Sequence, residues 1–465
     1  MNKISLGSRI FNLDDQKNFA ECSGDKNPIH LDDDYARTTQ PGQIIIHGIN
    51  ALLWALDNFS SEFGKIPELI NARFLQPIYL NESVSCTYVE DKKLIEICSS
   101  EATLIRIKLS GKKYESKKNI KNTNLWKDSE VKIANNNFSD VELIDKVEYL
   151  NVVDSDEIFT LYPHLACFLN KKLLSEIVYL STVVGMQVPG LHSIFVSASI
   201  SLVNDNNENS IDIIKTDRRF GIVDLSVQST FTIAKLRAIV RPAPQIPPDL
   251  EDIGKKITKR VAIGRRVLVI GGSRGLGSNV VRLLVLMGAD VTFTYVKGFE
   301  EATALKNDLS KRGFNVNIKF FDILDPNYPD LFSNAPEFVL YFSTPKIFIK
   351  RSKIFEKELY KNFKRFYVDA YREILSHCLS KSVVRVFFPS TIAIDEKPSD
   401  LVEYVKAKSE GERLSEEYKN LHELDILVSR LPRTLTDQTA SNLIIENKDP
   451  INVMLPIIEE FFDGY

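Results

Sequence analysis

Cysteine is scarce. The five residues, Cys22, Cys86, Cys98, Cys167 and Cys378, lie far apart in 465 residues, with no CxxC pair and an odd total. That argues against a disulfide framework and leaves no zinc-ligand spacing, so no metal is expected. A surplus of one charge is also missing: Lys+Arg 59 faces Asp+Glu 62, a formal net charge of −3. A dedicated nucleic-acid binder carries a basic excess, so no nucleic-acid partner is expected. No apolar run approaches the ~18–20 residues needed to span a bilayer. The start, MNKISLGSRIFNLDD, reaches polar residues too soon for a secretory h-region. The expectation is a soluble cytoplasmic protein with no membrane partner. Hydrophobic residues at 44% and charged residues at 26% are those of a globular chain. At roughly 150 residues per domain the length suggests about three units.

Two stretches read as joints. Residues 111–137 are rich in Lys, Asn and Ser with little apolar periodicity, and read as solvated linker surface. Residues 241–260, RPAPQIPPDLEDIGKKITKR, hold four prolines within seven residues, which oppose helix and central strand alike. Between the joints the rhythm differs. In 1–112 a helical apolar stretch, Ile44 to Phe63, is followed by alternating runs such as SVSCTYVE and LIRIKLS. Residues 145–240 repeat that plan, with a helical stretch from Ala166 to Met186 and then SIFVSASISLV, SIDIIKT, GIVDLSVQS and TIAKLRAIV. Helix then antiparallel strands, twice, predicts an α+β unit of two similar halves. Residues 261–465 alternate short buried-type strands (RRVLVIGG, DVTFTYV, VNIKFFD, EFVLYF, VVRVFFPS, DILVSRL) with helices, the pattern of an α/β doubly wound parallel sheet.

The strongest local signal is VLVIGGSRGLGSNVV. A strand ends at Gly271, the turn runs through Ser273, Arg274, Gly275, Leu276 and Gly277, and an apolar helix follows at once. Glycine lets the backbone approach a pyrophosphate, and the new helix offers free N–H groups and a positive dipole end. An NAD site ends its second strand with an acidic residue that binds the ribose hydroxyls. Here that strand ends Tyr295-Val296-Lys297. Arg274 and Lys297 suit a 2′-phosphate, so NADP(H) is favoured over NAD(H). Further on, Ser390 closes VVRVFFPS, and Tyr404 and Lys408 sit four apart on one helical face. A neighbouring ammonium lowers the pKa of a phenol and suits it to proton transfer at a carbonyl oxygen.

Residues 261–440 resemble the short-chain dehydrogenase/reductase family, whose TGxxxGxG pattern stands here as IGGSRGLG with Ile270 in place of Thr. The resemblance implies a Rossmann-type domain over 261–465 with catalytic Ser390, Tyr404 and Lys408. It also implies a helix asparagine in the proton relay at Asn362, by spacing, and an adenine contact at Asp322 and Ile323. Two segments depart from the family: YFSTPKI stands where NNAG follows the fourth strand, and LPRTLTDQT stands in place of PG after the sixth.

Near the start, FAECSGDKNPIHLDDDYA holds Asp25 and His30 around a turn-favouring Asn27-Pro28. A bent segment can turn a carboxylate and an imidazole onto one water, as adding water across a double bond requires. The stretch resembles the SGDxNPxH signature of MaoC-like, (R)-specific enoyl-thioester hydratases, met by Phe19, Ser23, Gly24, Asp25, Asn27, Pro28, His30 and Ala36. That family implies a hot-dog fold over 1–118, with catalytic Asp25 and His30 and with Asn27 at the substrate. Gly48 of His47-Gly48 would offer its N–H to the thioester oxygen. The hydroxyl residue the family often carries farther along this helix is missing from LLWAL. Residues 145–240 resemble a second, degenerate hot-dog half at STVVGMQVPGLHSIFVSASISL, without the signature. His164 and His192 there read as structural, and Asp217, Arg218 and Arg219 as a solvated turn.

The two resemblances imply a double hot-dog followed by a Rossmann domain. They also imply two steps that share an intermediate: NADP(H)-dependent 3-oxoacyl reduction and (R)-3-hydroxyacyl dehydration, on an acyl-CoA or acyl-carrier-protein thioester of fatty-acid type. A homodimer is compatible with both families. Two alternatives stand beside this: a reductase of an unrelated carbonyl, sugar or polyketide, with the hot-dog half preparing an acyl donor, and a non-catalytic scaffold that binds NADP(H) and acyl carrier.

Overall fold

A computed structural model describes residues 2–115, 131–144, 147–150, 157–204, 206, 208–348, 355–381, 383–439 and 447–465. Most of the lysine-rich joint read at 111–137 therefore lies outside the described residues. The chain divides into two units, one up to Pro244 and the other from Gln245 onward. No described helix is long and apolar enough to cross a membrane.

The first unit is built on nine strands, β1 (Lys3–Ile10), β2 (Pro67–Phe74), β3 (Ser83–Val89), β4 (Leu94–Cys98), β5 (Thr103–Lys113), β6 (Ser193–Leu202), β7 (Ser210–Asp217), β8 (Ile222–Gln228) and β9 (Thr232–Val240). They form one antiparallel sheet in the order β1-β3-β4-β5-β2-β6-β9-β8-β7. In β5, Ile105, Ile107 and Leu109 turn inward while Arg106 and Lys108 face out, the period-2 pattern that fixes the register of a half-buried strand. The halves join where β2 pairs antiparallel with β6, Asn71 opposite Ser199. Two central helices, Gly48–Phe63 and Lys171–Thr182, lie in the core that the sheet encloses. Leu52, Leu53, Ala55 and Leu56 are all buried, because this helix is surrounded and its apolar surface runs nearly all the way round. The second helix continues as one π-type turn, Val183–Gln187.

The second unit is a six-stranded parallel sheet of β10 (Arg266–Ile270), β11 (Asp290–Tyr295), β12 (Val316–Phe320), β13 (Phe338–Tyr341), β14 (Arg385–Thr391) and β15 (Asp425–Leu431). Its order, β12-β11-β10-β13-β14-β15, is the doubly wound one, with the switch point between β10 and β13. Separate apolar clusters pack on the two faces, so these strands read as continuous hydrophobic runs. The proline-rich joint holds one surprise: a helix, Leu250–Lys256, starts right after its last proline. Asp249 caps it by accepting from Glu251 N at 2.7 Å, and Leu250 and Ile253 are buried in the core of this unit. Proline forbids a helix interior but not the residues just before an N-cap.

Candidate active sites

In the first unit the SGDKNPIH segment leaves the helix Leu13–Ser23 through Gly24, at φ 77°. Asn27 then caps the single 3₁₀ turn Pro28–His30, its Oδ1 accepting from Ile29 N at 3.2 Å. This doubles the chain back and sets Asp25, His30 and His47 together, with their ligand-type atoms all within 4.8 Å of one another. Each His47 nitrogen faces an oxygen: Nδ1 lies 2.9 Å from Gln16 Oε1 and Nε2 lies 3.1 Å from the Asp25 carbonyl. His47 thereby braces the loop from beneath, and its ring lies 3.9 Å from that of His30.

The Asp25 carboxyl is 1% exposed. Burial raises its pKa to about 6, against the Ser181 hydroxyl and the Asn27 N–H that favour the charged form. Burial likewise lowers His30 to about 4, so the ring is neutral near pH 7. Its Nδ1 lies 2.8 Å from the Ile45 carbonyl. A carbonyl only accepts, so Nδ1 carries the proton and Nε2 presents a lone pair.

The second half completes this site. Ser181 Oγ donates to Asp25 Oδ2 at 2.6 Å, and Asn27 Nδ2 donates to the Gly185 carbonyl at 2.9 Å. The Thr182 hydroxyl donates to the Ser23 carbonyl. A Cβ on Gly185 would stand 2.4 Å from Asp25 Oδ1, so only glycine lets the π-type turn lie against the carboxylate. The other central helix thus brings a hydroxyl, that of Ser181, to the Asp25 carboxyl. Sequence reasoning missed Ser181 and Gly185, although both stand in STVVGMQVPG. At Gly48 a Cβ would stand 3.0 Å from the Phe74 ring, which covers the start of the first central helix. Arg218 and Arg219 pair with Glu142 and Asp217 on an exposed turn. Among the described residues, His164 offers its backbone N–H to Asp57, and His192 sets Nε2 2.9 Å from Asn135 Oδ1.

In the second unit the glycine turn follows β10. A Cβ on Gly277 would lie 2.1 Å from the Gly271 carbonyl, so the turn closes only around glycine. Gly275, at φ +57°, has open space on its Cβ side, with Thr436 Cγ2 nearest at 4.0 Å. No side chain caps the helix Gly275–Leu286. An open cradle over uncapped N–H groups fits a dinucleotide pyrophosphate. Leu276 is half-buried against the core, and Ser273 Oγ stands beside Gly298. Arg274 is held by Asp437 at 3.1 Å and Glu301 at 3.6 Å, while Lys297 is exposed past β11. Asp322 Oδ1 accepts from Leu324 N at 2.9 Å in a tight turn after β12, and Ile323 is buried.

The Ser–Tyr–Lys set is rearranged. The hydroxyl that bears on the Tyr404 phenol is that of Thr391, not Ser390. Ser390 Oγ instead donates to Glu412 Oε1 at 2.5 Å, and Arg430 clamps that carboxylate with Nε at 2.8 Å and Nη2 at 2.6 Å. Neighbouring strand residues face opposite ways. Ser390 shares the side of Val386 and Phe388, under the helix Val402–His422, while Thr391 ends the strand at the sheet's carboxyl edge. Burial raises Tyr404 to about 12, with the Thr391 bond opposing. The expected help from Lys408 is absent because its ammonium turns elsewhere. Nζ donates to the Pro389 carbonyl at 2.6 Å and stands 4.0 Å over the Tyr367 ring. Burial lowers Lys408 to about 7, against the pull of Glu412.

Asn362 lies half-exposed in the helix Lys357–Lys364, and among the described residues no hydrogen bond ties it to Tyr404 or Lys408. The place beside Lys408 belongs to Tyr367, in a π-type turn Arg365–Asp369. That extra residue per turn shifts the register, which counting back from Ser390 could not anticipate.

Comparison with known proteins gives a family match and a set of solved structures. Residues 7–106 match the MaoC like domain family. Among solved structures, the chain is similar to the short chain dehydrogenase from Shigella flexneri, at 16% identity and TM-score 0.39, over 44% of this chain and 88% of that one. It is also similar to a short-chain type dehydrogenase/reductase from Mycobacterium ulcerans, at 17% identity and TM-score 0.38, over 44% of this chain and 85% of that one. A third, described as a short chain dehydrogenase from Escherichia coli CFT073 complexed with NADPH, shares 17% identity at TM-score 0.37, over 44% of this chain and 93% of that one. No curated protein matches. The chain thus carries a MaoC-like domain over residues 7–106.

Proposed function

We propose that the chain is a bifunctional acyl-thioester enzyme: an (R)-specific 3-hydroxyacyl dehydratase/enoyl hydratase in the first unit and an NADP(H)-dependent 3-oxoacyl reductase in the second. The observation that carries the reading is the pair of buried Asp25 and half-buried His30, set on one side by Ile45 and on the other by Ser181 of the second half. In hydration, His30 Nε2 takes a proton from the water whose oxygen bonds to C3. Asp25, part-protonated near neutrality, gives a proton to C2. Dehydration runs the same transfers backwards. The Gly48 N–H, at the start of its helix, meets the thioester oxygen where negative charge develops.

In the second unit, NADP(H) supplies the hydride when bound, and Arg274 and Lys297 are the residues for its 2′-phosphate. Asp322 and Ile323 would hold the cofactor's adenine end. Tyr404 gives its hydroxyl proton to the substrate's carbonyl oxygen, and Thr391 holds the same oxygen. Lys408 Nζ, donating to the Pro389 carbonyl, ties the helix that carries Tyr404 to the strand that carries Thr391. Thr391 and the glycine turn end strands two places apart, about 10 Å at the ordinary inter-strand spacing, which a nicotinamide reaches. Five free cysteines support a reducing, cytoplasmic setting.

The test uses the full chain with two substrates. Crotonyl-thioester hydration is lost in Asp25→Asn and His30→Ala but kept in Tyr404→Phe. Acetoacetyl-thioester reduction by NADPH shows the converse. An intact protein that reduces no 3-oxoacyl thioester rules the reading out.

A further inference from the structure

The first residue of the proline-rich joint is a fully buried cation. Arg241 is 2% exposed and follows directly on β9. Its Nη2 donates to the Tyr35 hydroxyl and to the Leu191 carbonyl, both at 2.9 Å. Its Nε and Nη1 are buried and have no partner among the described residues. No described carboxylate pairs with it; Tyr35 favours its charge against burial, through its hydroxyl and through its ring, 5.6 Å from the guanidinium carbon. A guanidinium does not shed its proton, and a buried charge without a counter-charge is strongly disfavoured. The site is one half of an ion pair.

Its position says what the other half belongs to. The Leu191 carbonyl that takes Arg241 Nη2 lies 3.4 Å from Asn27 Nδ2, so Arg241 and the SGDKNPIH segment share one acceptor. The charge of Arg241 acts on His30 directly. Arg241 N donates to the His192 carbonyl at 2.8 Å, which sets the two residues opposite each other on the β6–β9 ladder. His192 Nδ1 is likewise buried without a partner. His192 Nε2 faces Asn135 Oδ1 and so carries the ring's proton, which leaves Nδ1 an acceptor; the unpaired donors here are Arg241 Nε and Nη1.

We propose that Arg241 receives a carboxylate carried on the acyl part of the thioester, making the first unit a hydratase of acidic 2-enoyl thioesters. This rests on the hydratase reading above. A planar carboxylate accepts from guanidinium N–H groups in the geometry they offer. The burial of Arg241 points to the acyl end, which goes into the protein, and not to the phosphates of a carrier, which stay with water.

The experiment compares the fumaryl thioester with the crotonyl thioester, in which a methyl replaces the carboxylate, on the full chain and on Arg241→Met and Arg241→Lys. The ratio of kcat/KM for fumaryl over crotonyl should fall at least tenfold in Arg241→Met and less in Arg241→Lys. A ratio that stays constant while both rates drop means a structural arginine and overturns the proposal. Thermal unfolding with free fumarate reads the site without turnover. A rise in Tm that Arg241→Met abolishes supports the proposal, even if neither thioester is hydrated and the hydratase reading itself fails. No rise, or an equal rise with sulfate, overturns the carboxylate assignment.

Discussion

Asp25 shows how one buried carboxyl sets both a reaction and a cost. Its folded pKa of about 6 lies above the unfolded value near ~3.9, so the folded state holds the proton more tightly. Stability is therefore full below about pH 4 and declines as the pH rises through 6. Above that the penalty is at most about 3 kcal/mol. Asp25→Asn removes it while keeping an oxygen for Ser181. Thermal melts should show the first unit of the variant several degrees more stable at pH 7.5, and no more stable than wild type near pH 4. Hydration needs one proton shared between Asp25 and His30. Their values, about 6 and about 4, predict that kcat/KM falls roughly tenfold per pH unit above about pH 6. A flat profile to pH 8 would contradict the assignment of Asp25 as proton donor. Asp25 and His30 were legible because their motif is local. Ser181 and Arg241 were not, because each meets the site through the fold, 156 residues from Asp25 in the case of Ser181.

At the scale of elements, two close approaches decide the sites. The π-type turn Val183–Gln187 sets Gly185 against Asp25, so Gly185→Ala must push either the helix or the carboxylate aside. Crotonyl hydration should drop by a factor of 10² or more with reduction by NADPH unchanged, since the glycine serves only the first unit. In the second unit, Tyr404, Lys408 and Glu412 follow one another at four-residue steps along a single helix face. Glu412 could have been read from that spacing. Which of the adjacent hydroxyls Ser390 and Thr391 meets the tyrosine could not, because a one-residue difference turns a strand side chain to the other face. The reductase assay separates them. Thr391→Ala should cost about 10²–10³ in kcat, the scale of one lost donor at a developing oxyanion. Ser390→Ala should cost less than tenfold, since Arg430 still holds Glu412 at 2.6 Å. Equal losses in the two variants would return the role to Ser390.

For the whole molecule, the repeat of helix and strands predicted two like halves. The structure adds that the halves share one sheet and that the half without the motif supplies Ser181 and Gly185. A degenerate half is therefore not a spare part, since removing it would leave Asp25 without its hydroxyl partner. On the proposed function, the reason for a second unit on the same chain is chemical. The 3-hydroxyacyl thioester that reduction makes is the one dehydration consumes, and a covalent link raises the concentration of one site around the product of the other. That effect depends on dilution, which makes it measurable. Starting from acetoacetyl thioester and NADPH, the intact chain should release 2-enoyl thioester, Asp25→Asn should stop at the 3-hydroxy compound, and Tyr404→Phe should make neither. A mixture of the two variants restores the sequence in trans. If the link matters, the mixture should match the intact chain at high protein concentration and show a growing lag as both are diluted. An identical time course at every dilution would mean that the two activities share a chain without sharing an intermediate.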